Sequence, residues 1–182
     1  MRYERIIQLK TGESCLLRNA ERSDAEAVYK CFSLTHEETD YLLTYPDENS
    51  FTVEQEGDFL AGKAESADEI EICAFVNGRL AGTAGVDAVG RKEKIRHRAE
   101  FGISIEREFW GKGIGRALTL ACIACAKQAG YSQLELTAVA RNASAVALYE
   151  SVGFREYGRN PRGFRSRLTG WQELILMRLE LD

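Results

Sequence analysis

The sequence predicts a mixed α/β fold in one domain, and three observations carry that prediction. Residues 98 to 105 alternate apolar and polar side chains with the period of a strand. Residues 113 to 128 form a long apolar-periodic segment between two β-like stretches, which gives a β-α-β unit at the centre of the chain. Asn77-Gly78 between two apolar stretches is the turn chemistry of a type I′ hairpin, because both residues accept positive φ. The chain of 182 residues fits a single domain, 1-182, long enough for a substantial core.

Taken in order, residues 14 to 18 read as the first strand, and Ser23 or Asp24 can cap a helix running to about Leu34. His36 to Asn49 is acidic, holds Tyr41, Tyr45 and Pro46, and reads as a loop or broken helix. Helix returns over Phe51 to Lys63, followed by a polar connector to Asp68. Strands over 70 to 76 and 80 to 86 flank the Asn77-Gly78 turn, and the charged segment Arg91 to Arg96 leads into a strand over 97 to 105. Gly113 to Gln128 is a helix closed by Gly130. A strand over 132 to 139, a short helix over 142 to 151 and two strands over 153 to 157 and 171 to 181 complete the chain.

Composition excludes several classes of function. Apolar residues make up 45% and charged residues 29%, as in a soluble globular protein. A net charge of -4 gives no basis for nucleic acid as a partner. No apolar run is long enough to span a bilayer and no apolar stretch follows the N-terminus, so no membrane partner and a cytoplasmic location are expected. Cys122 and Cys125 form a C-x-x-C, the spacing of a redox pair or half a zinc site. The other three cysteines are isolated and the histidines are His36 and His97, so buried free thiols and no metal are expected.

The segment Phe109-Trp110-Gly111-Lys112-Gly113-Ile114-Gly115-Arg116 places three alternating glycines before the long helix. The first turn of a helix carries N–H groups without intrahelical partners and the positive end of the dipole. Glycines there let the backbone reach an anion, and Lys112 and Arg116 add charge, so a diphosphate is the expected guest. A Walker A loop is excluded because Gly113 follows Lys112 where Ser or Thr is required. A dinucleotide fingerprint lacks its third glycine, which falls on Arg116 or Leu118, although Glu135 lies at about the right distance for a ribose-binding acid.

Trp110-Gly111-Lys112-Gly113-Ile114-Gly115 resembles the acetyl-CoA loop of the GCN5-related N-acetyltransferase (GNAT) superfamily, Arg/Gln-x-x-Gly-x-Gly/Ala, with Trp110 standing where Arg or Gln is expected. Asn142-Ala143-Ser144-Ala145-Val146-Ala147-Leu148-Tyr149-Glu150-Ser151-Val152-Gly153-Phe154 is similar to a second segment of that superfamily, N-x-x-A-x-x-L-Y-E-x-x-G-F. The likeness runs from about Ser14 to the C-terminus and is weakest between residues 35 and 70. It implies a GNAT fold: a single mixed, mostly antiparallel twisted sheet flanked by helices, with splayed central strands. It also implies acetyl-CoA as co-substrate and direct transfer to a primary amine in a ternary complex.

By the same resemblance, Gly111, Lys112, Gly113, Ile114, Gly115 and Arg116 hold the diphosphate. The backbone of Ile103, Ser104 and Ile105 binds the pantetheine arm and supplies an oxyanion donor, Gly102 eases a bulge in that strand, and Asn142 turns the chain beside the arm. Tyr149 is the expected acid for the departing thiolate, or else a packed aromatic with its hydroxyl at the rim. Freeing an alkylamine from its proton at pH 7 costs about 4.6 kcal/mol, so a base is useful. Glu100, opposite the apolar face of its strand, is the candidate; the competing reading pairs it with an arginine across the sheet. Arg155, Arg159, Arg162, Arg165 and Arg167 form a basic patch, read either as a reader of an anionic acceptor or as a solvated loop. The acceptor is a small-molecule or protein amine, and homodimerisation is open. A non-catalytic acyl-CoA-binding module is the alternative from another class, since it would keep the loop without needing Tyr149.

Overall fold

Alternating apolar positions assemble into one eight-stranded sheet in the computed structural model, which describes residues 1–181. The strands are β1 (Glu4–Gln8), β2 (Ser14–Asn19), β3 (Ile70–Val76), β4 (Arg79–Ala88), β5 (Arg98–Ile105), β6 (Gln133–Val139), β7 (Arg155–Ser166) and β8 (Gly170–Glu180). They lie in the order β1-β2-β3-β4-β5-β6-β8-β7. The helices are α1 (Ala25–Glu38), α2 (Val53–Glu65), α3 (Ile114–Gln128) and α4 (Ala143–Ser151). Every pairing is antiparallel except β5 with β6, because the α3 crossover returns the chain in the same direction.

Period-two alternation sends side chains to opposite faces, and each face has its own cover. Ile70, Ile72, Val86, Ala99 and Phe101 bury one face against Leu118 and Cys122 of α3. Cys73 and Leu80 bury the other against Val28 and Cys31 of α1 and Leu60 of α2. The five cysteines are buried free thiols, those of the C-x-x-C included, and burial pushes the Cys122 thiol well up. Asn77 and Gly78 both take positive φ, 52° and 78°, as the hairpin reading requires. Gly130, at φ 84°, follows the end of α3.

Several boundaries differ from the sequence reading. Strand β1 was not foreseen: Ile6 and Ile7 are adjacent rather than alternating, and an edge strand with an exposed face does not need the pattern. Neither Ser23 nor Asp24 caps α1 with its side chain; the Asp24 carboxylate accepts from the Glu21 N–H at 2.8 Å and from Arg18 at 2.7 and 2.8 Å. The helix then runs on to Glu38. Strand β7 continues to Ser166, so the arginine-rich stretch is an edge strand rather than a loop, its register shifting around Pro161 and Gly163. Strand β5 has no bulge: its register with β4 is continuous from Ala99 to Ile105, and the break lies between β3 and β4 near Ala81.

Candidate active site

The central strands part company. Only Arg98 to Glu100 of β5 pair with Gln133 to Glu135 of β6, and beyond Glu100 the two strands diverge. Arg98 donates to Glu135 through Nε and Nη2, which clamps the paired end. The backbone alternation of β5 is set by two bonds to β4: Glu106 N–H to the Ala81 carbonyl and Val89 N–H to the Arg98 carbonyl. Even-numbered residues therefore turn their backbone groups to β4, and odd-numbered ones turn theirs to the opening. Ile103 and Ile105 thus turn their peptide groups to it, whereas the Ser104 peptide faces β4. The Trp110 indole N–H donates to the Ile105 carbonyl at 2.7 Å, a contact made by the residue that replaces Arg or Gln in the family pattern.

A cleft of about 840 Å³ fills the opening, between β5 residues 101 to 105 and β6 residues 136 to 139. At one end lies the glycine loop. Gly111 and Gly113 hold φ of 74° and 102°, and Gly113 precedes the first residue of α3. The first helical bond runs from Ala117 N–H to Gly113, so the N–H groups of Ile114, Gly115 and Arg116 precede it. Arg116 lines the cleft and donates to Ser151 Oγ at 2.8 Å. Lys112 instead lays its ammonium over the Phe109 ring at 4.9 Å, outside the lining, and the Ile114 side chain is fully buried as an anchor. Gly115 is helical, and its Cα faces Leu148 Cδ2 and Ile105 Cδ1, so its smallness serves the packing of α3 on α4 and β5.

Lys10 was missed by sequence reasoning. The β1–β2 turn hydrogen-bonds the glycine loop, Lys10 N–H to the Lys112 carbonyl at 3.1 Å, and Lys10 lines the cleft beside Gly113. Nothing local marks it, because the contact spans about a hundred residues of chain. A diphosphate fits this end: the left-handed glycines carry no Cβ, helix N–H groups point outward, and Lys10 and Arg116 supply charge.

At mid-cleft stands Tyr149 of α4. Its ring packs edge-on to Phe101 and Phe154, with centroids 6.1 and 6.0 Å away, and burial pushes its phenol up to about 12. Asn142 caps α4, its Oδ1 accepting from Ala145 N–H at 3.3 Å, and lines the cleft as well. Glu100 is exposed to the cleft beside its register partner Asp87. Among the described residues no arginine pairs with Glu100; Arg98 is taken by Glu135.

The far wall comes from the segment after α1. His36, Thr39 and Tyr41 line the cleft, and burial lowers the His36 imidazole, which stacks on Phe32 at 3.7 Å. Asp40 accepts from Ser166 and Thr169, and Arg167 pairs with Asp47, so the β7–β8 turn fastens this wall. None of the five arginines of the patch lines the cleft. Arg162 and Arg165 flank the Trp171 ring at 5.5 and 5.6 Å, and Arg159 pairs with Glu156 and Glu173.

The model of the acetyltransferase (GNAT) family matches residues 23–154, which spans both motifs and the cleft between them. The chain belongs to the GNAT family. A ribosomal protein bS18-alanine N-acetyltransferase of Escherichia coli is 31% identical to this acetyltransferase over 106 residues, 58% of this chain and 68% of that protein. A GNAT-family acetyltransferase from Streptococcus pneumoniae superposes with a TM-score of 0.87 at 30% identity, covering 91% of this chain and 99% of that one. The yncA protein of Salmonella typhimurium, solved with its cofactor acetyl-CoA, shares the fold at a TM-score of 0.80 and 20% identity, covering 92% and 94% of the two chains. This GNAT protein is accordingly an acetyl-CoA-dependent N-acetyltransferase with an amine acceptor. No described helix is long and apolar enough to cross a membrane.

Proposed function

We propose that this enzyme transfers the acetyl group directly to a primary amine in a ternary complex, with Glu100 as base and Tyr149 as acid. The observation that carries this reading is the shape of the cleft: the glycine cradle lies at one end, Tyr149 in the middle and a free carboxylate on the wall. The backbone of Ile103 and Ile105 binds the pantetheine arm, and an N–H of this strand polarises the thioester carbonyl. Glu100, directly or through a water, takes a proton from the ammonium, and the freed nitrogen attacks the carbonyl carbon. A C–N bond forms, the C–S bond breaks, the thiolate takes its proton from the Tyr149 hydroxyl, and the second proton shed by the acylated nitrogen passes through solvent to restore the Tyr149 phenol. Glu100 then hands its proton to solvent. A phenol near 12 stays protonated throughout the neutral range and is always ready for that step.

Buried free thiols suit a reducing compartment, which supports a cytoplasmic protein. Exposed Tyr157 of the edge strand β7 and Trp171 of its neighbour β8 would seat a second copy in a homodimer. One relative is named for N-acetylating alanine of ribosomal protein bS18, a protein amine, and small-molecule amines are the other class to test. The experiment is a screen of both classes that follows thiol release from acetyl-CoA. Amine-dependent release that falls in Glu100→Gln supports the reading; release unchanged by that substitution removes Glu100 from the base role.

A further inference from the structure

Glu71 leads into a second cavity. It lies at the start of β3 and turns its side chain to the α1–α2 face of the sheet, where its register partner on β4 is Gly85 and the next partner on β5 is Gly102. Two bare positions in one row leave a trough across the sheet. A Cβ on Gly85 would collide with Glu71 Oε2, and a Cβ on Gly102 would meet nothing within 4 Å. Thus the carboxylate lies over β4 and the floor over β5 is open. Thr83 and Ser104 border the trough on one side, Asp87 and Glu100 on the other.

The trough joins the main cleft to a side pocket of about 340 Å³, with Thr44 and Ser104 in the walls of both. Three aromatic rings, Phe32, Phe51 and Phe59, and three carboxylates, Glu48, Glu56 and Glu71, line that pocket, and no lysine or arginine does. Glu48 accepts from the Tyr45 N–H and faces Arg167. Among the described residues no ion pair holds Glu56 or Glu71, and the nearby Lys63 ammonium is committed to Asp87 and Glu69. Burial pushes the Glu71 carboxyl up to about 7 and raises Glu56. Glu71, held by a Thr83 hydroxyl but by no cation, and Glu56, set among aromatic faces, form a site for a cation, which carboxylates and ring faces both attract.

We propose that the side pocket holds a second cationic group of the acceptor, so that the preferred substrates are small diamines whose reacting nitrogen lies along the Gly85–Gly102 trough. This rests on acetyl transfer taking place in the main cleft. An ammonium seated against Glu71 and Glu56 would fix the distance at which the other amine reaches the thioester. A monoamine of equal length would gain only the apolar contacts.

The test compares 1,4-diaminobutane and 1,5-diaminopentane with butylamine and pentylamine as acceptors, in wild type, Glu71→Gln and Glu71→Asp. A charge-assisted contact predicts a kcat/KM ratio of about tenfold or more in favour of the diamines. That ratio should collapse toward one in Glu71→Gln and be partly kept in Glu71→Asp, with CoA affinity and melting temperature reporting an intact fold. Equal kcat/KM for diamines and monoamines in wild type, or a preference that survives Glu71→Gln, overturns the proposal. If none of these amines is acetylated, the acetyl-transfer reading of the cleft loses support while the pocket is still read by calorimetric titration of 1,5-diaminopentane into the CoA-bound protein. Binding that depends on Glu71 supports the subsite, and its absence overturns it.

Discussion

Tyr149 and Glu71 are buried ionisable groups, and burial raises both, favouring the neutral phenol and the neutral carboxyl. The Tyr149 phenol near 12 carries its proton at every working pH. Tyr149→Phe keeps the ring against Phe101 and Phe154 and removes that proton. It should lower kcat by roughly 10² to 10⁴ while the CoA dissociation constant and melting temperature stay near wild type. Single-turnover kinetics checks this, and wild-type turnover would make Tyr149 a packing residue. For Glu71 the folded value, about 7, lies above its ordinary 4.5. Its contribution to stability is therefore present in full below about 4.5 and lost as pH rises through 7. The groups facing it are Lys63 and Glu56 from α2, Asp87 and Thr83 from β4, and the Cys73 thiol on its own strand, while the Cys122 thiol of α3 feels its charge through the sheet. Glu71→Gln removes the buried charge, so at pH 8 it should be more stable than wild type by about 1 to 3 kcal/mol, with the gap closing toward pH 5. Urea unfolding at the two pH values measures it; a gap independent of pH would place the Glu71 carboxyl in water.

At the scale of elements, the glycine loop divides into two kinds of glycine. Gly113 sits at φ 102° before α3, a conformation that costs other residues about 1 kcal/mol or more. Gly115 is helical, and an added Cβ would stand 3.3 Å from Leu148 and 3.4 Å from Ile105. Gly113→Ala should weaken CoA binding by about tenfold with a small loss of stability, whereas Gly115→Val should cost about 1 to 3 kcal/mol by overpacking. Calorimetry and thermal melting separate the two, and an undiminished melting temperature in Gly115→Val would return Gly115 to the cradle. Arg162 and Arg165 belong to an edge strand and lie over Trp171 rather than reach the cleft. Arg162→Glu and Arg165→Glu should leave the acceptor KM within about twofold of wild type, as exposed charges contribute little. A larger rise would put the patch back in acceptor recognition.

Across the whole molecule, the far wall of the cleft depends on parts of the chain far apart in sequence. The Asp40 carboxylate takes hydroxyl donors from Ser166 at 2.6 Å and Thr169 at 2.6 Å, more than a hundred residues on. Asp40→Ala releases the segment after α1 from the β7–β8 turn. The acceptor KM should rise by about tenfold with CoA affinity unchanged, because hydrogen bonds to a charged group are strong and the glycine loop lies elsewhere. Steady-state kinetics with the acceptor found by screening decides it, and an equal rise in the acetyl-CoA KM would show a general loosening.

By itself the sequence determined what local spacing dictates. The Asn77-Gly78 turn, the glycine loop opening α3, the alternation that turns Glu100 from the core and the segment from Asn142 to Phe154 all depend on near neighbours, so period and turn chemistry reveal them. The membership in an acetyltransferase family was legible for the same reason. Only the tertiary structure decided which distant side chains meet: Lys10 beside the glycine loop, Asp40 under the β7–β8 turn, and Gly85 and Gly102 in one row with Glu71. A strand glycine looks alike in sequence whether it eases a bulge or bares a floor, and Gly102 does the second because register with β4 and β3, set by the whole sheet, aligns it with Gly85.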